Sequence, residues 1–304
     1  MDILIWCAVL VVALAGLVKS ADYFTLGAEN FGLYFGMSSF IVGATIVAIG
    51  GSMPELATSL LSALDGKTSF AVDNVIGSNI ANTLLIIAAL AVTLQVKEKL
   101  IDVDLPFFFI SSALFVLFIS DSVFSYKEII SLVMLALYVF YTLSDTTDDE
   151  ENQSTPKDFK KIWIVYIVLG IIGIFIGAKY TIESVTKLEL LNISPSIITM
   201  LAVAIGTSLP ELIISVRSAM AGKHSIALGN IFGSNTFNAL AVVGIPSLFT
   251  TLTVSESAIK IGIPFFIVAS LAFIFTTSDN KIQKWEGMAL LILYAAFINI
   301  LGWM

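Results

Sequence analysis

Two acidic residues, Glu55 and Glu211, stand inside long apolar stretches of the sequence. An acid near the centre of a bilayer costs about 2.5–3.5 kcal/mol on insertion scales, so a carboxylate kept there is a candidate functional group. Each follows a proline, Pro54 or Pro210, and each proline follows a glycine-containing stretch, AIGGSM (48–53) or AIGTSL (204–209). Proline removes one helix hydrogen bond and crowds the carbonyl four residues back, here Gly50 or Gly206. The glycines lower the cost of an irregular backbone at the same point. Both segments are therefore expected to be broken helices whose freed carbonyls turn toward the protein interior. Carboxylates beside free carbonyls suit a hard cation such as calcium, which takes several oxygen ligands in flexible geometry. Two ionised glutamates balance one divalent charge. Sodium uses the same oxygens with a weaker charge demand, so the two ions could compete for one site. A proline kink alone requires no acid, yet the acid occurs at both equivalent positions.

Neutral oxygens occur nearby in the sequence. Ser78 and Asn82 are four residues apart, as are Ser234 and Asn238, which places each pair on one helix face. They can turn side-chain oxygens toward the same midplane cavity. The competing reading is helix–helix packing, which Gly, Ser and Asn also mediate in membranes. Asn79 and Asn235 point elsewhere on the same helices and read as structural.

The elements that must position these groups are membrane helices. Of the 304 residues, 58% are hydrophobic and only 12% charged, about half the charged share of a soluble domain. Apolar stretches long enough for a hydrocarbon core of about 30 Å recur along the whole chain. Ten spans are expected, near 3–20, 39–64, 71–95, 105–120, 126–143, 161–179, 193–220, 225–249, 259–277 and 285–303. Three sequence blocks recur in the same order. AIGGSMPEL (48–56) matches AIGTSLPEL (204–212), NVIGSN (74–79) matches NIFGSN (230–235), and LPFFFISSALFVLFISD (105–121) matches IPFFIVASLAFIFTTSD (263–279). Five spans per copy force the second copy to enter from the opposite side. The expected fold is thus an all-α integral membrane protein, ten transmembrane helices in two inverted five-helix repeats, with helices 2 and 7 broken at the midplane. The first repeat covers 1–143 and the second 161–304. Between them lies an acidic linker, 144–160, read as a solvated cytoplasmic segment.

Loop charge orients the chain. With the N-terminus outside, the cytoplasmic side receives Lys19, Lys97, Lys99, Lys157, Lys160, Lys161, Arg217, Lys223, Lys281 and Lys284. The outside receives Lys67, Lys127, Lys179, Lys187 and Lys260. That asymmetry favours a multi-pass protein of the cell membrane with both termini extracellular. The apolar start, residues 3–18, has no basic flank, carries Asp2 and is followed by a second span, so it reads as a helix and not a cleaved signal. A net charge of −8 with no basic stripe argues against nucleic acid as a partner. One cysteine, Cys7, excludes a disulfide framework and a Cys-based metal site. His224 is expected in a short cytoplasmic loop. The Phe-rich fourth and ninth spans read as lipid-facing packing, and Trp163, Trp285 and Trp303 as interfacial anchors.

At the paired motifs the chain resembles the cation/calcium antiporter superfamily, particularly its prokaryotic sodium/calcium exchangers. The elements are G-[ST]-S-x-P-E and G-S-N-x-x-[ND] within two alpha-repeats, residues 39–95 and 193–249, and the resemblance extends over all ten spans. It implies that spans two, three, seven and eight form the ion-binding core while spans one and six slide past it. It places the central ligands on Glu55 and Glu211, with Asn82 and Asn238 facing the middle. Flanking sodium sites would use the Ala48 and Ala204 carbonyls, Gly51 and Thr207, and Ser78 and Ser234, with Ser52 and Ser208 beside them. Two departures stand out. Gly51 replaces a hydroxyl residue kept as Thr207 in the second repeat, and Asn238 stands where potassium-dependent relatives carry Asp. The resemblance therefore implies potassium independence. It also implies a monomer whose partners are calcium, sodium and the lipid bilayer, without a cofactor.

Sodium-driven calcium antiport is the function this reading favours, which makes the protein a transporter and not an enzyme. Calcium/proton antiport would use the same glutamates, but relatives coupled to protons show a G-N-A-x-E element, absent here. A cation channel is the alternative from another class, and inverted repeats suit alternating access better. An intramembrane enzyme lacks support, because no Ser-His, His-metal or paired-Asp element is present.

Overall fold

The structure, a computed structural model, describes residues 2–91, 98–120, 127–144, 158–188, 208–220, 222, 224–277 and 282–302. All regular structure among these residues is helical. In chain order, the helices are α1 (Asp2–Tyr34), α2 (Val42–Gly51), α3 (Met53–Leu64), α4 (Phe70–Leu90) and α5 (Glu98–Ser120). They continue with α6 (Lys127–Ser144), α7 (Ile162–Leu188), α8 (Leu209–Met220), α9 (His224–Ser247), α10 (Ala258–Thr277) and α11 (Lys284–Gly302). Among the described residues six helices are long and apolar enough to cross a membrane, or seven if the bent pair α2 and α3 is one span. The protein is a multi-pass membrane protein. Most of the acidic linker (145–157) and most of the seventh expected span (193–207) lie outside the described residues.

The first expected span was too short. α1 runs 33 residues, about 50 Å at 1.5 Å per residue, well beyond the thickness of a hydrocarbon core. Lys19 therefore lies within a helix and not in a loop, with its ammonium 5.0 Å from the centroid of the Tyr23 ring. No glycine or proline interrupts the segment after Lys19 except Gly27 and Gly32, and isolated glycines are tolerated in a helix.

α1 packs along α7, and the two run antiparallel. Trp6 at the start of α1 lies under the Lys187 ammonium, whereas Tyr34 at its end stacks with Trp163 at the start of α7. Small residues permit the close approach, as they do in many membrane helix pairs. A Cβ on Gly170 would lie 2.7 Å from the Phe24 backbone nitrogen, and one on Gly177 2.8 Å from Leu17 Cγ. Trp163 is buried in the aromatic group of Phe31, Tyr34 and Phe159, so it seals this helix pair and does not face lipid.

α4 and α9 lie at the centre, almost wholly enclosed by other helices, although both are rich in polar residues. α5 and α10 cover them. Here the lipid-facing reading of the phenylalanines needs correction: Phe108, Phe115, Phe266 and Phe273 are fully buried. Phe108 stacks on Phe273 with ring centroids 4.8 Å apart, and Phe115 on Phe266 at 5.1 Å. The crossed pairing, early residue with late residue, makes α5 and α10 antiparallel. Only the opposite faces, with Phe109 and Phe275, are exposed. At one end of the bundle the α3–α4 turn meets the loop before α10, where the Thr68 and Thr253 hydroxyls lie 2.8 Å apart.

Candidate cation site

The site forms where α2 breaks into α3. The two segments meet at Ser52 with a bend of 42°. Ser52 leaves helical geometry at ψ 5°, and Pro54 starts the new helix, where its missing N–H costs least. The described part of the seventh expected span begins at Ser208 with the corresponding arrangement. The Leu212 N–H donates to the Ser208 carbonyl at 3.1 Å, as the Leu56 N–H donates to the Ser52 carbonyl at 3.1 Å. Glu55 and Glu211 thus occupy the first turn of α3 and of α8, and both are fully buried. A first-turn acid is favoured by the positive end of the helix dipole, which offsets part of the burial cost.

The two carboxylates are held crosswise. Ser52 Oγ donates to Glu211 Oε1 at 3.0 Å, and Ser208 Oγ donates to Glu55 Oε1 at 3.1 Å. Each half of the chain therefore supplies the hydroxyl that steadies the other half's acid. Ser78 Oγ on α4 adds a longer bond to Glu55 Oε1 at 3.4 Å. Its counterpart Ser234 reaches the Ala48 carbonyl instead, at 3.5 Å. Gly51 lies directly against the Glu211 carboxyl group.

Ala48, Gly51, Ser52, Glu55, Ser78, Asn82, Ser208, Glu211, Ser234 and Asn238 are all buried. Ala204 and Thr207 lie outside the described residues. Asn82 and Asn238 make no hydrogen bond to another protein group through either amide atom, although both are fully buried. They sit in widened helical turns, Ala81–Ile86 and Asn238–Val242, and a third such turn, Val42–Val47, precedes Ala48. Turns of this kind are frequent at functional sites because they displace backbone and side chains from the regular ladder. Buried amides without protein partners are costly, so four such polar atoms, together with Glu211 Oε2, mark a place where a polar guest would be stabilised.

Two supporting residues escaped the reading of the sequence. Asn74 Nδ2 lies within hydrogen-bond range of the Glu55 carbonyl at 3.3 Å, Thr58 Oγ1 at 3.3 Å and Ser59 Oγ at 3.1 Å. Asn230 Nδ2 does the same for the Glu211 carbonyl at 3.3 Å and Ser215 Oγ at 2.9 Å. Both lead the repeated hexapeptides NVIGSN and NIFGSN, so the duplicated asparagine was the available signal. Asn79 Nδ2 donates to the Asn235 carbonyl at 3.1 Å and ties α4 to α9. His224 is the first residue of α9, not a loop residue.

Chemically, the hydrogen-bonded cluster offers two carboxylates, the serine hydroxyls and the Ala48 carbonyl, a donor set composed of hard oxygens. The family described as sodium/calcium exchanger protein matches residues 5–146 and 162–303. The sodium/calcium exchanger MaX1 of Methanosarcina acetivorans is 32% identical, over 96% of this chain and 97% of that protein. The inner membrane protein YrbG of Escherichia coli is 29% identical, over 98% and 97% of the two chains. A solved structure of the sodium-calcium exchanger NCX_Mj superposes with a TM-score of 0.73 at 27% identity, covering 98% of each chain. On the strength of these matches, which run from end to end of the described helices, the chain belongs to the sodium/calcium exchanger protein family.

Proposed function

We propose that this protein exchanges sodium for calcium across the cell membrane by alternating access at one midplane site. The carrying observation is the crosswise bonding of two fully buried carboxylates, Ser52 to Glu211 and Ser208 to Glu55. Glu55 and Glu211 would be the central ligands for calcium. The Ala48 and Ala204 carbonyls, Gly51, Thr207, Ser52, Ser208, Ser78 and Ser234 would serve flanking sodium ions, and Asn82 and Asn238 would face the middle.

Coupling follows from electrostatics. Two buried negative charges repel each other in a low-dielectric interior, and an unpaired buried charge is strongly destabilising. One calcium ion neutralises the pair, and so do two sodium ions. The site is therefore costly to reorient without cargo, which links movement in one direction to movement in the other. Ten spans in two inverted repeats, 1–143 and 161–304, account for this two-sided construction, with both termini outside. The antiparallel pairs α1 with α7 and α5 with α10 support that arrangement, since equivalent helices of inverted repeats must run in opposite directions. The tight glycine-lined seam between α1 and α7 suits a pair that slides across the core as a unit. The family name, and solved NCX_Mj structures soaked with sodium together with calcium or strontium, support sodium and calcium as the cargo. With Asn at both 82 and 238, no third central acid is present for potassium, and a monomer suffices for the cycle.

The test is calcium-45 uptake into proteoliposomes loaded with sodium, compared with proteoliposomes carrying only an outward proton gradient. Uptake driven by sodium, unchanged when choline replaces potassium, is the expected result. Uptake that follows only the proton gradient would reassign the protein to calcium/proton antiport. Uptake that runs downhill without either counter-ion would make it a channel.

A further inference from the structure

Gly51 ends α2 immediately before the break, and its backbone is not in the left-handed region; among the described residues the glycines with positive φ are Gly36, Gly66 and Gly222. Backbone conformation therefore does not call for glycine here. Space does. A Cβ built on Gly51 would lie 3.3 Å from both Cγ and Cδ of Glu211 and 3.4 Å from its Oε1. These contacts are tighter than ordinary carbon packing, so the Glu211 carboxyl group crowds the place where a side chain at position 51 would begin. Ser52 holds the same Oε1 at 3.0 Å, which fixes the carboxylate against the wall of the break.

We propose that Gly51 is a positioning residue that sets the width of the cation cage and thereby its tolerance for larger divalent ions. The inference rests on the cation site proposed above and adds the determinant of its size selectivity. With no Cβ at 51, Glu211 lies flush with the α2 backbone and the cage is as wide as that wall allows. A methyl group at 51 displaces the carboxylate by a few tenths of an ångström, either toward the cage centre or off its bond with Ser52. Calcium–oxygen distances in proteins span about 2.3–2.6 Å, so a shift of that size is comparable to the whole range. It is also comparable to the growth in ionic radius from calcium to barium. Close-packed surroundings transmit such a shift and do not absorb it. Position 207, equivalent in the second half, carries Thr.

The test uses equilibrium binding of calcium-45 to the purified full chain in detergent, displaced by strontium or barium. Gly51→Ala is expected to weaken barium relative to calcium by about tenfold, as mild overpacking would. Strontium should fall between. Glu211→Asp, which withdraws the carboxylate by one methylene without adding bulk, is expected to shift the ratio in the opposite direction, toward barium. An unchanged calcium-to-barium ratio in Gly51→Ala, or equal weakening of all three ions, overturns the inference. If Gly51→Ala fails to fold, a fall in relative barium binding in Glu211→Asp overturns it independently. A wild-type chain with no displaceable calcium would overturn the cation site itself, an outcome distinct from an unchanged ratio.

Discussion

Ser52 donates to the Glu211 carboxylate over 3.0 Å, although the two residues are 159 positions apart and lie on helices from opposite halves of the chain. The reciprocal bond from Ser208 to Glu55 makes the site a single object that neither half contains alone. A change in the angle between the halves therefore alters both carboxylates together.

The acids are the first prediction. Glu55→Gln and Glu211→Gln preserve side-chain volume and remove one charge each. Both are expected to lower calcium binding at least about a hundredfold, in line with the ~3–5 kcal/mol lost when one partner of a buried charge contact is removed. Sodium-driven calcium-45 uptake should vanish while the purified proteins keep wild-type helix content and a single elution peak. Wild-type turnover in either variant would put the centre elsewhere.

The serines test the crosswise bonds. Hydrogen bonds to charged groups contribute about 1.5–3 kcal/mol, so Ser52→Ala and Ser208→Ala should each weaken calcium by roughly ten- to a hundredfold. In a Glu211→Gln background, Ser52→Ala should cost much less, because its charged acceptor is gone. Additive effects in that double-mutant cycle would show that the bond carries no energy.

Asn74 and Asn230 are predicted to act on stability. Asn74→Ala removes the amide donor that the Glu55 carbonyl, Thr58 and Ser59 share, at a cost of about 1–3 kcal/mol, and should lower the Tm of the detergent-solubilised protein. Asn230→Ala should do the same to a lesser extent, having fewer acceptors. Unchanged Tm in both variants would refute this role.

Gly233 bears on the packing that brings α9 to α2. A Cβ there would lie 2.2 Å from the Ala44 carbonyl oxygen and 2.6 Å from Ala48 Cβ. Gly233→Ala is expected to reduce the yield of folded protein and its Tm by far more than Gly16→Ala, where no atom lies within 4 Å. Comparable thermal melts for the two variants would contradict the close crossing.

Much of the site was legible because the relevant signals are local or repeated. A buried acid after Pro announces itself by its cost in an apolar run, and its recurrence at 55 and 211 singles it out as a candidate functional group. The break at Ser52 follows from Pro54 and the glycines before it. The phenylalanines of α5 and α10 were harder, since an apolar side chain satisfies lipid and protein interior equally well. Their periodicity reveals a face but not what opposes it. The length of α1 was missed because Lys19, Asp22 and Glu29 look like a loop, whereas charged side chains on a long helix can reach water from beyond the hydrocarbon core.

Residue order alone was enough to establish an all-helical membrane protein with duplicated acids and a donor set of hard oxygens, because burial cost and proline geometry act within a few residues. Tertiary structure decided which hydroxyl meets which acid, that Asn74 and Asn230 support the glutamate backbones, and that Gly51 lies against the Glu211 carboxyl group. These are contacts between helices far apart in the chain. Their geometry depends on how the two halves cross, and local periodicity carries no information about a crossing angle.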